Sequence, residues 1–200
     1  MKSAAWVQSR LSIGCVLLLL LGSSGMVRAA TAIFAGGCFW CVEALYQEQP
    51  GVTQVISGFT GGTYPNPTYS GLHTGHYEAV EVTYDASLIN YQQLLDLFWH
   101  NIDPFDAQGQ FCDKGPSYLS AIFVGNPTER ELAVSSKLRV AERFSGRAIA
   151  TEILDASRFY PVEASHQDYY LKNPLRYGFY RRGCGRDARL QEIWGADAHH

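Results

Sequence analysis

The stretch HYEAVEVTYD, His76 to Asp85, alternates strictly between two sets of side chains. His76, Glu78, Val80, Val82 and Tyr84 share one face, and Tyr77, Ala79, Glu81 and Thr83 share the other. Such a strand has an apolar face that must be covered by another layer. The following segment, SLINYQQLLDLFWHNID, supplies a partner, because Tyr91, Leu94, Leu95 and Phe98 form one helical stripe. TAIFAGG (31–37), VTQVISGFTGG (52–62), YLSAIFV (118–124) and RAIATEIL (147–154) read as further strands. CFWCVEALYQEQ (38–49) reads as a helix stopped by Pro50-Gly51, and a second runs from Glu129 to Phe144, opened by a capping box of Thr128 and Glu131. The tail from Phe159 is aromatic and irregular, with a short helix around His166 to Leu171. Alternating helices with one-sided strands predict an α/β chain, a two-layer sandwich whose mixed sheet carries helices on one face. No repeat or linker divides residues 30–200, so they are expected to form a single domain. The glycine-rich loops at 58–75 and 103–117 are too long for mere connections and are where function is expected.

The first 29 residues have a different character. Lys2 and Arg10 precede an almost wholly apolar run, Ile13 to Leu21, and a small-residue stretch follows. This is the layout of a secretory signal peptide, with cleavage expected after Ala29, and its apolar run is too short for a mature membrane span. An exported protein, periplasmic or secreted, is therefore expected, with no membrane attachment once the signal is removed. Taking Lys2, Arg10 and Arg28 from the 16 basic residues leaves 13 against 19 acidic ones, a balance of −6 that disfavours nucleic acid as a partner. Of the five cysteines, Cys15 leaves with the signal, and Cys38, Cys41, Cys112 and Cys184 remain. In an oxidising compartment the plainest reading is two structural disulfides, for which three pairings exist.

Local context gives some of these residues more chemistry than that. Cys38 follows two glycines and opens a helix, where the backbone N–H groups and the helix dipole favour thiolate, and Phe39 and Trp40 make an apolar wall beside it. Cys41 lies one turn on. The CxxC spacing fits a dithiol–disulfide oxidoreductase, whereas a zinc site would normally need a second such pair, so no metal is expected. Glu78 shares its face with Val80 and Val82; a carboxyl held among apolar groups is pushed toward its protonated form and becomes a proton donor near neutral pH. A thiolate, a proton donor and an apolar notch suit a small substrate that is polar at one atom and greasy beside it, as a sulfoxide is.

GCFW (37–40), TGHYEAVEVTYD (74–85), FWHNIDP (98–104), QFCDKGPSYLSAIF (110–123) and HQDYYLKNP (166–174) together resemble the A-type peptide methionine sulfoxide reductases, over Ile33 to Trp194. The resemblance implies a ferredoxin-like two-layer sandwich. It also implies reduction of the S epimer of methionine sulfoxide, free or in proteins, and hence protein repair after oxidation. Carried over by position, Cys38 is the nucleophile that becomes a sulfenic acid and Glu78 the acid. Phe39 and Trp40 receive the substrate methyl group, and Asp113, Tyr118 and Tyr69 orient the oxygen. Where many relatives place a resolving cysteine after Tyr177 this chain has Gly178. Cys184, in a glycine-flanked tail, is the favoured resolving thiol, with Cys41 its successor or alternative and Cys112 a further participant. No metal, nucleotide or bound cofactor is implied, only an external dithiol such as a thioredoxin-like protein, and a monomer is expected. Two rivals remain: the CxxC oxidoreductase, indifferent to Glu78, and a non-enzymatic binding module stapled by two disulfides.

Overall fold

In the computed structural model, which describes residues 29–198, the alternating segment forms β3 (Tyr77–Asp85) inside a six-stranded sheet. The other strands are β1 (Ala29–Gly36), β2 (Val52–Thr60), β6 (Ser120–Val124), β7 (Glu152–Asp155) and β8 (Tyr160–Pro161), in the order β7-β6-β1-β3-β2-β8. Only the β6–β7 pair is parallel, so the sheet is mixed as expected. A separate two-stranded ribbon, β4 (Gly109–Gln110) with β5 (Asp113–Lys114), lies in the second long loop. Residues 1–28 of the predicted signal peptide lie outside the described residues, and Ala29, its last residue, opens β1.

Three helices follow from three sequence patterns. In α1 (Phe39–Gln47), Phe39, Val42 and Tyr46 recur at helical spacing and are buried. In α2 (Tyr91–Trp99), Asn90 and Gln93 exchange a reciprocal capping box. The cap of α3 (Pro127–Arg143) is not Thr128: Asn126 accepts the Glu129 N–H, and Pro127 takes the first helical position, where no N–H is needed. These helices cover one face of the sheet. Phe34, Val80, Val82 and Ile122 from the strands meet Phe39, Tyr46, Leu94, Leu95 and Phe98 from the helices. Burial of each such side chain contributes about 1.5–3 kcal/mol relative to exposure. The opposite face is thin at its centre: Ala35, Ala79 and Ala121 pack with Phe123 under Phe159.

Two other expectations are corrected. The strand read at 147–154 begins only at Glu152, because the Ala150 N–H is taken by the Pro104 carbonyl and Lys137 takes the Thr151 carbonyl. The tail is not irregular but largely helical, as α4 (Tyr169–Lys172), α5 (Pro174–Gly183) and α6 (Arg186–Trp194). Its stripe was hidden because the first member is an arginine. Arg186, Leu190 and Trp194 fall at four-residue intervals and are all buried, Arg186 being 2% exposed with its guanidinium donating to Asn101 Oδ1 and to the Asn101 carbonyl.

Candidate active site

The site lies where β1 ends and α1 begins. Gly37 makes the turn at φ +83°, and a Cβ there would sit 2.6 Å from the Gln110 Cβ, so only glycine lets the chain pass. Cys38 is the N-cap of α1 but makes no side-chain cap. Glu78 Oε2, arriving from β3, instead accepts the Phe39 N–H at 3.1 Å. That carboxyl is 2% exposed, and burial pushes it up to about 8; the Phe39 and Tyr118 hydrogen bonds pull the other way. A protonated acid at neutral pH therefore sits beside the thiol, as the Val80/Val82 face predicted.

The cysteines depart from the simplest reading. Cys112 and Cys184 form the only disulfide among the described residues, while Cys38 and Cys41 are free, buried thiols at 5% and 1% exposure. Burial pushes the Cys38 thiol up, and its neighbours Cys41 and Glu78 push the same way. Cys41 is drawn down to about 6, chiefly by its hydrogen bond with Cys38 and then by the fields of Arg186 and Arg181. The pair thus shares one proton, the remaining S–H steadying the thiolate. The expected lowering of Cys38 by the helix terminus is outweighed by its burial, and the Phe39 N–H is taken by Glu78.

Around the thiols stands an aromatic wall. Trp40 stacks on Tyr169 at 3.8 Å between centroids, nearly parallel at 8°, and Tyr69 lies 5.9 Å from Trp40 and 6.1 Å from Phe39. His166 lies against Tyr69 at 3.9 Å between centroids, tilted by 32°, and burial lowers its pKa, favouring the neutral ring. Burial likewise raises Tyr69 to about 12 and pushes Tyr118 upward, so both remain hydroxyl donors. Asp113 accepts a short hydrogen bond from the Tyr180 hydroxyl, and burial raises its pKa. Every residue anticipated from the sequence reaches this place: Cys38, Cys41, Phe39, Trp40, Tyr69, Glu78, Asp113 and Tyr118 directly, and Cys184 behind Asp113. Tyr169, His166 and Tyr180 were missed. The three-residue aromatic spacing of 166/169 and 177/180 was the available signal. A groove of about 660 Å³ along β2, lined by Gln47, Gln54, Pro161 and Asp168, contains none of this chemistry.

Ligand atoms of Cys112, Asp113 and Cys184 lie within 4.8 Å of one another, but the two sulfurs are bonded together and offer no thiolate to a metal. A buried dithiol, a protonated carboxyl and an aromatic wall define a thiol-based oxidoreductase. Residues 30–198 match the family model described as peptide methionine sulfoxide reductase. The chain is 49% identical to peptide methionine sulfoxide reductase MsrA 2 of Caulobacter vibrioides, covering 89% of this chain and 94% of that one. It is 50% identical to the MsrA of Bacillus subtilis, covering 82% and 96%. Among solved structures, methionine sulfoxide reductase A of Corynebacterium diphtheriae aligns with a TM-score of 0.65 at 36% identity, covering 76% of this chain and 78% of that one. Mxr1 of Saccharomyces cerevisiae in reduced form aligns with 0.67 at 26%, covering 74% and 87%. The chain belongs to the A-type peptide methionine sulfoxide reductases.

Proposed function

We propose that this protein reduces the S epimer of methionine sulfoxide, free or in proteins, with Cys38 as nucleophile and Glu78 as acid. The observation that carries the reading is the Glu78 carboxyl, protonated at neutral pH by burial and hydrogen-bonded to the first amide of the helix that Cys38 opens. The Cys38 thiolate takes the oxygen from the sulfoxide sulfur while Glu78 gives it a proton; methionine leaves as the thioether and Cys38 remains as a sulfenic acid. Phe39 and Trp40 hold the methyl group, and Tyr69, Tyr118 and Asp113 orient the oxygen. Cys41 then attacks the sulfenic sulfur, expelling water and forming a Cys38–Cys41 disulfide. Cys41 takes this step ahead of Cys184, because it is a free thiol hydrogen-bonded to Cys38 whereas the Cys184 sulfur is held in the disulfide with Cys112.

An external dithiol returns the enzyme to its reduced form, and a thioredoxin-like protein is the donor proposed; Mxr1 has been solved in complex with Trx2. The leader pattern of residues 1–29 supports export. The CxxC oxidoreductase reading is not favoured, since the relatives that the chain matches are methionine sulfoxide reductases and a dithiol oxidoreductase would leave the buried Glu78 carboxyl without a role.

The test is a dithiothreitol-driven assay on separated sulfoxide epimers. Turnover of the S epimer alone, abolished by Cys38→Ser, is the expected result; turnover of neither epimer by fully reduced protein would overturn the reading.

A further inference from the structure

A second buried carboxyl takes no part in the steps above. Glu43 lies one turn beyond Phe39 on α1 and is fully buried. Its Oε1 accepts the Asp168 N–H at 3.0 Å, and among the described residues no lysine or arginine forms an ion pair with it. A carboxyl costs free energy to take out of water, so core packing alone would favour a methionine or leucine in that place. What Glu43 holds explains its presence. Asp168 stands in the left-handed region, at φ 54°, a conformation that residues with a side chain disfavour. It opens α4, but its own side chain makes no cap there. Its Oδ1 instead accepts a hydrogen bond from Gln47 Nε2 at 2.8 Å. Glu43 and Gln47 stand one turn apart on α1, so one helix grips both the main chain and the side chain of the strained residue.

The next residue along is Tyr169, whose ring lies flat on Trp40 at 3.8 Å between centroids. Trp40 is also on α1. That helix thus carries the indole and, through Asp168, the ring on which the indole rests. The rest of the segment has a separate anchor, because the Gln167 side chain bonds the Ser57 N–H at 2.9 Å and the Ser57 carbonyl at 2.8 Å. Loss of Glu43 therefore leaves the segment attached to β2 and frees only the turn at Asp168. We propose, on the reading that Trp40 receives the substrate methyl group, that Glu43 is a positioning residue for sulfoxide binding. It holds Asp168 in the left-handed turn and so fixes the plane of the Trp40 indole through Tyr169. Being fully buried, Glu43 is out of reach of the substrate, and no bond to it forms or breaks. It keeps the wall in its binding arrangement before the substrate arrives, which removes an ordering cost from binding. The chemical step, at Cys38 and Glu78, draws nothing from it.

Steady-state kinetics of the full chain on the S epimer, with dithiothreitol as reductant, test this with two substitutions. Glu43→Met keeps the length and removes the acceptor, whereas Glu43→Gln keeps an oxygen for the Asp168 N–H. Glu43→Met is expected to raise KM about fivefold, with kcat within about twofold of the parent. Glu43→Gln is expected to bring KM back to within about twofold of the parent value. A parental KM in Glu43→Met would overturn the proposal. So would a Glu43→Gln KM as high as that of Glu43→Met, since the acceptor would then not be what matters. A fall in kcat with KM unmoved would overturn it as well, by assigning Glu43 to the chemical step or to the fold at large. Should Glu43→Met fail to fold, as circular dichroism would reveal, Gln47→Leu releases the other grip on Asp168. That variant is expected to raise KM about twofold at parental kcat, and a parental KM in it would overturn the positioning role. Absence of turnover by the parent protein is a separate result, which ends the reductase reading and this inference with it.

Discussion

Glu78 caps the helix that Cys38 opens: its Oε2 accepts the Phe39 N–H at 3.1 Å, where the N-cap side chain itself makes no bond. One hydrogen bond thus fixes the distance between acid and thiol. Glu78→Gln keeps an oxygen for that bond but has no acidic proton. Turnover is expected to fall about 10²–10⁴-fold with the fold intact. In the parent enzyme the rate should decline as pH rises through about 8, where Glu78 loses its proton. Steady-state rates of both proteins across that range check this, and an undiminished Glu78→Gln rate would remove Glu78 as the acid.

Cys41→Ser should separate oxygen transfer from resolution. The variant is expected to release one methionine per chain in a rapid first phase and then stall, because no free thiol remains against the Cys38 sulfenic acid. Rapid-quench stoichiometry reads this directly; sustained parental turnover would return the resolving role to Cys184.

Trp40→Ala should act on binding. The indole lies flat against Tyr169, with Tyr69 and His166 beside it, ready to receive an apolar group. The expected outcome is a KM about tenfold higher, equivalent to about 1.4 kcal/mol of lost apolar contact, with a smaller change in kcat.

Glu43 links stability to pH. It is fully buried on α1, its Oε1 accepts the Asp168 N–H at 3.0 Å, and burial raises it from 4.5 to about 7. A folded-state value above the unfolded one means the native protein holds the extra proton between those two values. Stability therefore falls as pH rises from about 4.5 to about 7 and then levels off. Glu43→Gln should flatten that slope in thermal melts; an unchanged slope would place its origin elsewhere.

Arg186→Met keeps much of the volume but removes the donors to Asn101. With those hydrogen bonds lost from the interior, a loss of about 3 kcal/mol in denaturant unfolding is expected.

The parts of this molecule legible in its sequence are those determined by near neighbours. Alternation assigned Glu78 to the buried face of β3, and helical spacing assigned Phe39, Val42 and Tyr46 to the core. Where two plausible local solutions competed, the reading slipped: Asn126 with Pro127 outcompeted Thr128 as the cap of α3. The tail was illegible for another reason. Its helices are held by distant polar contacts, such as Arg186 on Asn101 and Tyr180 on Asp113, which the short Leu190/Trp194 stripe and the aromatic pairs 166/169 and 177/180 do not announce. The site residues drawn from motifs came together, while Tyr180 and Tyr169 arrive from a segment whose position only the folded sheet determines.

The Trp40–Tyr169 stack has an optical consequence. Of the described tryptophans, Trp99 and Trp194 are sealed at 2% exposure, whereas Trp40 is only partly covered and touches Tyr180 edge-on. Its emission should therefore respond to anything that enters the aromatic wall or lifts α5 away, and an aqueous quencher should reach it before the other two. The protein carries its own fluorescent gauge of active-site occupancy, readable without a label.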